Sequence, residues 1–141
     1  MRYLGLDLGT KTLGLAISDR TNTLVSPYKT LFYKEPMDLI QELKAIVELN
    51  NITTMVLGLP KNMDNSLGFA SERSMNFYNL LKEHFDLEIV LQDERLSTVE
   101  AENMLINNAN MRREKRKKVI DSVAAMVILE TYLKKENNKN G

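Results

Sequence analysis

Two short apolar runs near the N-terminus, Tyr3 to Leu8 and Leu13 to Ser18, are separated only by Gly9-Thr10-Lys11-Thr12. That is the pattern of two strands joined by a tight turn, and whatever this chain folds into must be built outward from it. A third extended piece lies around Val25 to Tyr33, after the polar connection Asp19 to Thr23. Pro36 then supplies a helix start, and Leu39, Ile40, Leu43, Ile46 and Val47 recur at spacings of three and four until Asn50-Asn51 stops the pattern. Thr53 to Leu57, closed by Gly58-Leu59-Pro60, reads as a buried strand.

Lys61 to Gly68 is loop-like, and Asn62, Asp64 and Ser66 are ordinary turn chemistry there. A helix from about Ser71 to Phe85 is expected to carry Met75, Tyr78, Leu81 and Phe85 on one side, and Leu87 to Leu91 a last strand running into Gln92-Asp93-Glu94-Arg95. Ser97-Thr98-Val99-Glu100 is a capping box opening a helix to about Asn107, and a final helix should run from Glu114 to about Lys135. The expectation is an α/β fold with a mixed, partly antiparallel sheet and helical faces. At 141 residues it is one domain, 1–135, followed by a frayed polar tail, 136–141.

Composition narrows the chemistry. With no cysteine and a single histidine, His84, thiolate zinc sites, iron–sulfur clusters, disulfides and His-rich metal sites are excluded. Catalysis must lean on carboxylates, hydroxyls, Lys or Arg, with a hard, oxygen-preferring cation as helper. The N-terminal apolar run is broken by Asp7 before it could act as a signal segment, and no stretch approaches the roughly 20 apolar residues of a membrane span. The expected location is the cytoplasm, without a membrane partner.

Three carboxylate positions carry the functional reading. Asp7 falls near the carboxyl end of a strand expected to be central, where an ionised group is costly unless paired or coordinated. Taken alone it reads equally as a strand-end Asp satisfying turn amides. Glu94, with Asp93, follows the last strand, where open α/β sheets place their ligand crevices, although two acids beside Arg95 also make a self-neutralising loop. Asp121 interrupts a nearly apolar helical stretch and shares a helical face with Ala124, Ala125, Ile128 and Tyr132, whose small alanines permit close approach; a buried ion pair is the alternative. Brought together, such like charges need neutralisation, and without His or Cys the ion is Mg²⁺ or Mn²⁺. Phosphodiester hydrolysis suits that arrangement.

The formal net charge is zero, 19 basic against 19 acidic residues, which at face value argues against a nucleic-acid partner. The average hides a basic run: Arg112, Arg113, Lys115, Arg116, Lys117 and Lys118, broken only by Glu114, lead directly into the helix of Asp121. Such a run is a solvated surface in most proteins, but in this position it reads as a phosphate-backbone contact strip. Lys11 and Arg95 are further phosphate-contact candidates, with turn closure and local ion pairing as their alternatives.

Gly5-Leu6-Asp7-Leu8-Gly9-Thr10-Lys11-Thr12-Leu13-Gly14, Gly58-Leu59-Pro60 with Asn62-Met63-Asp64, Asp93-Glu94-Arg95-Leu96-Ser97-Thr98 and Ile120-Asp121-Ser122-Val123-Ala124-Ala125 together closely resemble the YqgF family of pre-16S ribosomal RNA nuclease or Holliday-junction-resolvase-like proteins. The resemblance implies a ribonuclease H-like fold with about five strands, the second antiparallel. It also implies a metal-dependent nuclease site on Asp7, Glu94 and Asp121, with Asp93 or Asp64 as candidates for a fourth carboxylate. The implied activity is 5′-end maturation of pre-16S rRNA, with resolution of branched DNA as the alternative. A non-catalytic nucleic-acid-binding factor of ribosome assembly or transcription is a reading from another class, and monomer and homodimer both stay open. The first block also resembles the phosphate loop of sugar kinases and actin-like ATPases, but those enzymes close two lobes and this chain has length for one.

Overall fold

The computed structural model describes residues 2–19, 21, 24–59, 69–93 and 113–140, with the side chains of 69–71, 93, 113–121 and 137–140 left aside. Five strands and three helices are defined among them: β1 Tyr3–Leu8, β2 Thr12–Ser18, β3 Val25–Phe32, α1 Met37–Asn50, β4 Thr54–Leu59, α2 Phe69–His84, β5 Glu88–Asp93 and α3 Arg113–Asn140. The sheet order is β3-β2-β1-β4-β5. The hairpin makes β2 antiparallel to β1, and β3 is antiparallel to β2 in turn. β4 and β5 join on the other side in parallel. β1 is therefore the central strand, and β1, β3, β4 and β5 all point their carboxyl ends at one edge.

The two sheet faces are chemically different because alternate residues of a strand point opposite ways. Leu4, Leu6 and Leu8 of β1 join Leu13, Leu15 and Leu31, and with Leu39, Ile40 and Leu43 of α1 and Phe77 and Leu81 of α2 they form the larger core. On the opposite face β1 presents Tyr3, Gly5 and Asp7. Val56 packs there with Ile128, Leu129 and Leu133 of α3. At the Gly5–Ala16 pair this second face is small, and α3 comes down almost onto the backbone: a Cβ on Gly5 would lie 2.8 Å from the Ala125 carbonyl oxygen and 2.9 Å from Leu129 Cβ.

Several boundaries differ from the sequence expectation. The buried stripe of α2 contains Ser74, Phe77 and Leu81, whereas Met75, expected there, is only half-buried. The helix is rotated to bring the larger aromatic ring inward. β4 and β5 each run two residues further, because the Gly58–Gln92 and Leu59–Asp93 pairs continue the register. Asp93 is thus a strand residue rather than part of a loop. α3 continues through Asn140, beyond the expected end near Lys135. α1 stops where expected, with Asn51 in the left-handed conformation (φ 55°) and its N–H donating to the Val47 carbonyl, a conformation that Asn tolerates better than most side chains. The helix expected from Ser97 to Asn107 and the loop Lys61 to Gly68 lie outside the described residues. No helix among the described residues is long and apolar enough to cross a membrane.

Candidate active site

Asp7 is the second-last residue of the central strand and is only 8% exposed. Its neighbours explain how a carboxylate comes to be held there. Across the hairpin Asp7 stands opposite Gly14, and Gly14 stands opposite Thr30 on β3. Gly14 carries no side chain between its larger neighbours and is itself buried. Past Leu8 the chain turns within Gly9 to Thr12, where the Gly9 N–H donates to the Thr12 carbonyl at 2.7 Å. Tyr33, the residue just past β3, locks that turn: its hydroxyl donates to the Gly9 carbonyl, and its own N–H donates to the Lys11 carbonyl at 3.0 Å. Burial raises the Tyr33 phenol pKa above its ordinary value, against an opposing pull from Arg73, so the ring stays a neutral donor. Sequence reading missed Tyr33 in this role, since a tyrosine at the end of an extended piece carries no signal of its own.

The backbone of α3 brings its start to the same row. Ala125 and Leu129 sit on Gly5, and one turn towards the helix start the Ser122 hydroxyl shares a 2.8 Å hydrogen bond with the Thr30 hydroxyl. Thr30 lies in the row of Asp7, so α3 runs antiparallel to β1 with its N-terminal half over the carboxyl edge of the sheet. Position 121 is one helical turn from Ala125, as Asp7 is one strand repeat from Gly5. Ala124, Ala125 and Ile128 are buried, as the apolar spacing predicts. The helix has 28 residues, about 42 Å, against strands of six to eight residues. From Ser122 back to Arg113 it continues for about 14 Å, which carries the backbone of the basic segment past the strand ends.

On the other side of β1, Gly58 and Gln92 are paired on β4 and β5, level with the end of β1. Gln92 is buried and its side-chain oxygen accepts from Lys135 Nζ at 3.4 Å. Glu94 and Arg95 follow β5 directly but lie outside the described residues, as does Arg112. The side chains of Asp121, Arg113, Lys115, Arg116, Lys117 and Lys118 also lie outside them. Lys11 is described, and it is exposed in the turn beside Asp7. Among the described residues no cluster of three potential metal ligands occurs.

The family profile "RuvX: Holliday junction resolvase" matches residues 1–135. A protein of Thermoanaerobacter pseudethanolicus named "Putative pre-16S rRNA nuclease" is 42% identical over 139 residues, covering 99% of this chain and 100% of the relative. Among solved structures, RuvC of T. thermophilus in complex with a Holliday junction substrate aligns with a TM-score of 0.59 at 11% identity, over 96% of both chains. The Fowlpox virus resolvase in complex with Holliday junction DNA aligns at 0.56 and 12% identity, over 96% of this chain and 98% of that one. These likenesses establish the ribonuclease H-like fold, which the strand order with its antiparallel second strand shares.

Proposed function

The chain belongs to the RuvX family, and from that premise we propose that it is a metal-dependent endonuclease hydrolysing phosphodiester bonds, with 5′-end maturation of pre-16S rRNA as its task. The single observation that carries the reading is the placement of Asp7: a buried carboxylate at the end of the central strand, in the row over which the N-terminal half of α3 passes. The name carried by the 42%-identical relative supports the RNA substrate.

A carboxylate kept out of water beside a rigid turn fits a divalent ion, because such an ion offsets the cost of desolvating the charge. The donor set Asp7, Glu94 and Asp121 is all oxygen, which suits Mg²⁺ or Mn²⁺ rather than a softer metal. When bound, the ion would supply charge neutralisation at the scissile phosphate and activation of a water for in-line attack. The chain's own residues then do the rest. Asp7, fixed by the strand, the Gly9–Thr12 turn and the Tyr33 strut, sets the position of the site. Lys11 and the basic start of α3 draw in and orient the phosphate backbone, and binding weakens as salt rises.

A second reading, resolution of four-way DNA junctions, is favoured by the description of the family profile. It calls for two active sites and hence a homodimer, whereas trimming of RNA needs one copy. A cleavage panel separates them: precursor RNA, single strands, duplexes and four-way junctions, each with and without Mg²⁺ or Mn²⁺, with sedimentation of the same sample. Metal-dependent cleavage of the precursor RNA is the expected result. Cleavage of junctions alone by a dimer would favour the second reading, and binding without cleavage under any condition would overturn both.

A further inference from the structure

Phe32 is 71% exposed, an unusual position for a phenylalanine at the end of a strand. Its direction is fixed by its neighbours. Leu31 points into the larger core, while Thr30 points to the other face and bonds to Ser122 of α3. By strand alternation Phe32 belongs to the face of Thr30, Gly14 and Asp7. β3 runs in the same direction as β1, so Phe32 lies beyond Thr30 towards the carboxyl edge, opposite Thr12 at the hairpin turn. Two strand spacings and one strand repeat separate it from Asp7, about 12 Å between Cα atoms.

Its surroundings carry both charges, the cations Lys11 and Lys34 and, in the turn that follows, the acids Glu35 and Asp38. The backbone of exposed Lys11 lies beside Phe32, its carbonyl accepting from the Tyr33 N–H, and exposed Lys34 follows two residues on. The backbone of α3 carries the positions of Arg113 and Lys115 to Lys118 past this same edge. An exposed aromatic ring with two lysines nearby, on the face of the candidate site and a few nucleotides from it, has the chemistry of a base-stacking platform.

We propose that Phe32 stacks on an unpaired base of a single-stranded segment lying a few nucleotides from the bond at Asp7, so that the site takes single strands or frayed ends in preference to continuous duplex. The inference rests on the endonuclease reading and adds a substrate requirement to it. The backbone is held by the lysines, and the base is sorted only by whether it is free to leave its stack.

The chain contains no tryptophan, so Phe32→Trp places a sole indole on the proposed platform. The measurement is the Trp emission of the Phe32→Trp protein, with Asp7→Asn added to prevent cleavage, titrated with a 12-nucleotide single-stranded RNA and with a duplex of equal length. Binding is followed in parallel by anisotropy of labelled RNA. Saturable quenching by the single strand, with little by the duplex, is expected. Phe32→Ala should weaken single-strand binding by about ten-fold, with Phe32→Tyr retaining it, and its far-ultraviolet dichroism and melting should match the parent, since an exposed ring contributes little to the fold. Anisotropy showing tight binding while the indole stays unquenched overturns the stacking inference and leaves the endonuclease reading intact. No binding of any nucleic acid overturns both. A concentration-dependent blue shift without RNA would make a second copy of the chain the occupant, and would also overturn the proposal.

Discussion

Replacing Gly5 by Ala tests how α3 is brought over the strand ends. The added Cβ would lie 2.8 Å from the Ala125 carbonyl oxygen and 2.9 Å from Leu129 Cβ. Both atoms belong rigidly to the helix, so no side-chain rotation relieves the clash, and α3 must lift by roughly 0.6 Å to restore ordinary separations. Overpacking of this kind costs about 1–3 kcal/mol. Ala in place of Gly regains about 0.4–1 kcal/mol through the unfolded chain. The net loss is then anywhere from about zero to about 2.6 kcal/mol, a fall in Tm of up to roughly 10 °C for a chain of this size. Cleavage measured well below Tm should fall further than stability explains, because the lift occurs one repeat from Asp7, and sub-ångström misplacement of reacting groups is costly. Gly9→Ala is the control: its nearest neighbour is the Thr12 side-chain oxygen at 3.1 Å, and it should be milder on both measures. A Gly5→Ala protein that melts at or above the parent and cleaves at the parental rate would refute the idea that close approach at Gly5 positions the helix.

Tyr33→Phe removes the hydroxyl bond to the Gly9 carbonyl; chemical denaturation should show a loss of about 1 kcal/mol, and kcat should fall more than KM rises, since the turn positions Asp7 rather than binding substrate. Tyr132, whose ring lies 5.8 Å from that of Tyr3 at the far end of the sheet, has its pKa pushed up to about 12 by burial first and by Glu136, Tyr3 and Glu88 after it. A phenol that keeps its proton more tightly when folded contributes stability that is present below about pH 10 and lost as pH rises towards 12. Tyr132→Phe should flatten that alkaline decline in thermal melts, with little change near neutral pH. Neutralising Arg112, Arg113 and Lys115 to Lys118 together should weaken RNA binding and reduce the slope of log K against log salt by about 0.7 for each single-strand phosphate that these cations neutralise. An unchanged slope would place the phosphate-binding strip elsewhere.

The sheet was legible because its signals are local. The hairpin spacing, the β-branched run before Gly58 and the periodicity of α1 each survive in the structure within a few residues. What misled was where pairing decides: β4 and β5 are longer than their apolar runs because register with a neighbour, not hydrophobicity, carries them on. The choice of Phe77 over Met75 for the core likewise depends on the packing of α2 against the sheet, which a helical wheel cannot resolve when both faces carry apolar residues. Of the candidate site, the burial of Asp7 at the end of the central strand could be reached from its strand-end position. The small residues around Asp121 correctly anticipated the close approach of α3, although the point of approach falls on Gly5, near the other end of the chain. Tyr33 and Phe32 were invisible for opposite reasons. One is ordinary until its hydroxyl meets a turn carbonyl, and the other is unusual only by being exposed.

The most direct test of the central claim is the rate at which highly purified protein cleaves precursor 16S RNA in Mg²⁺ or Mn²⁺, compared between the parent and Asp7→Asn. Asn keeps the shape of the side chain and removes the charge that would hold the ion, so cleavage should drop by roughly a hundred-fold or more while RNA binding and the melting transition are retained. Equal metal-dependent cleavage by both proteins would contradict the assignment of the site to the end of the central strand.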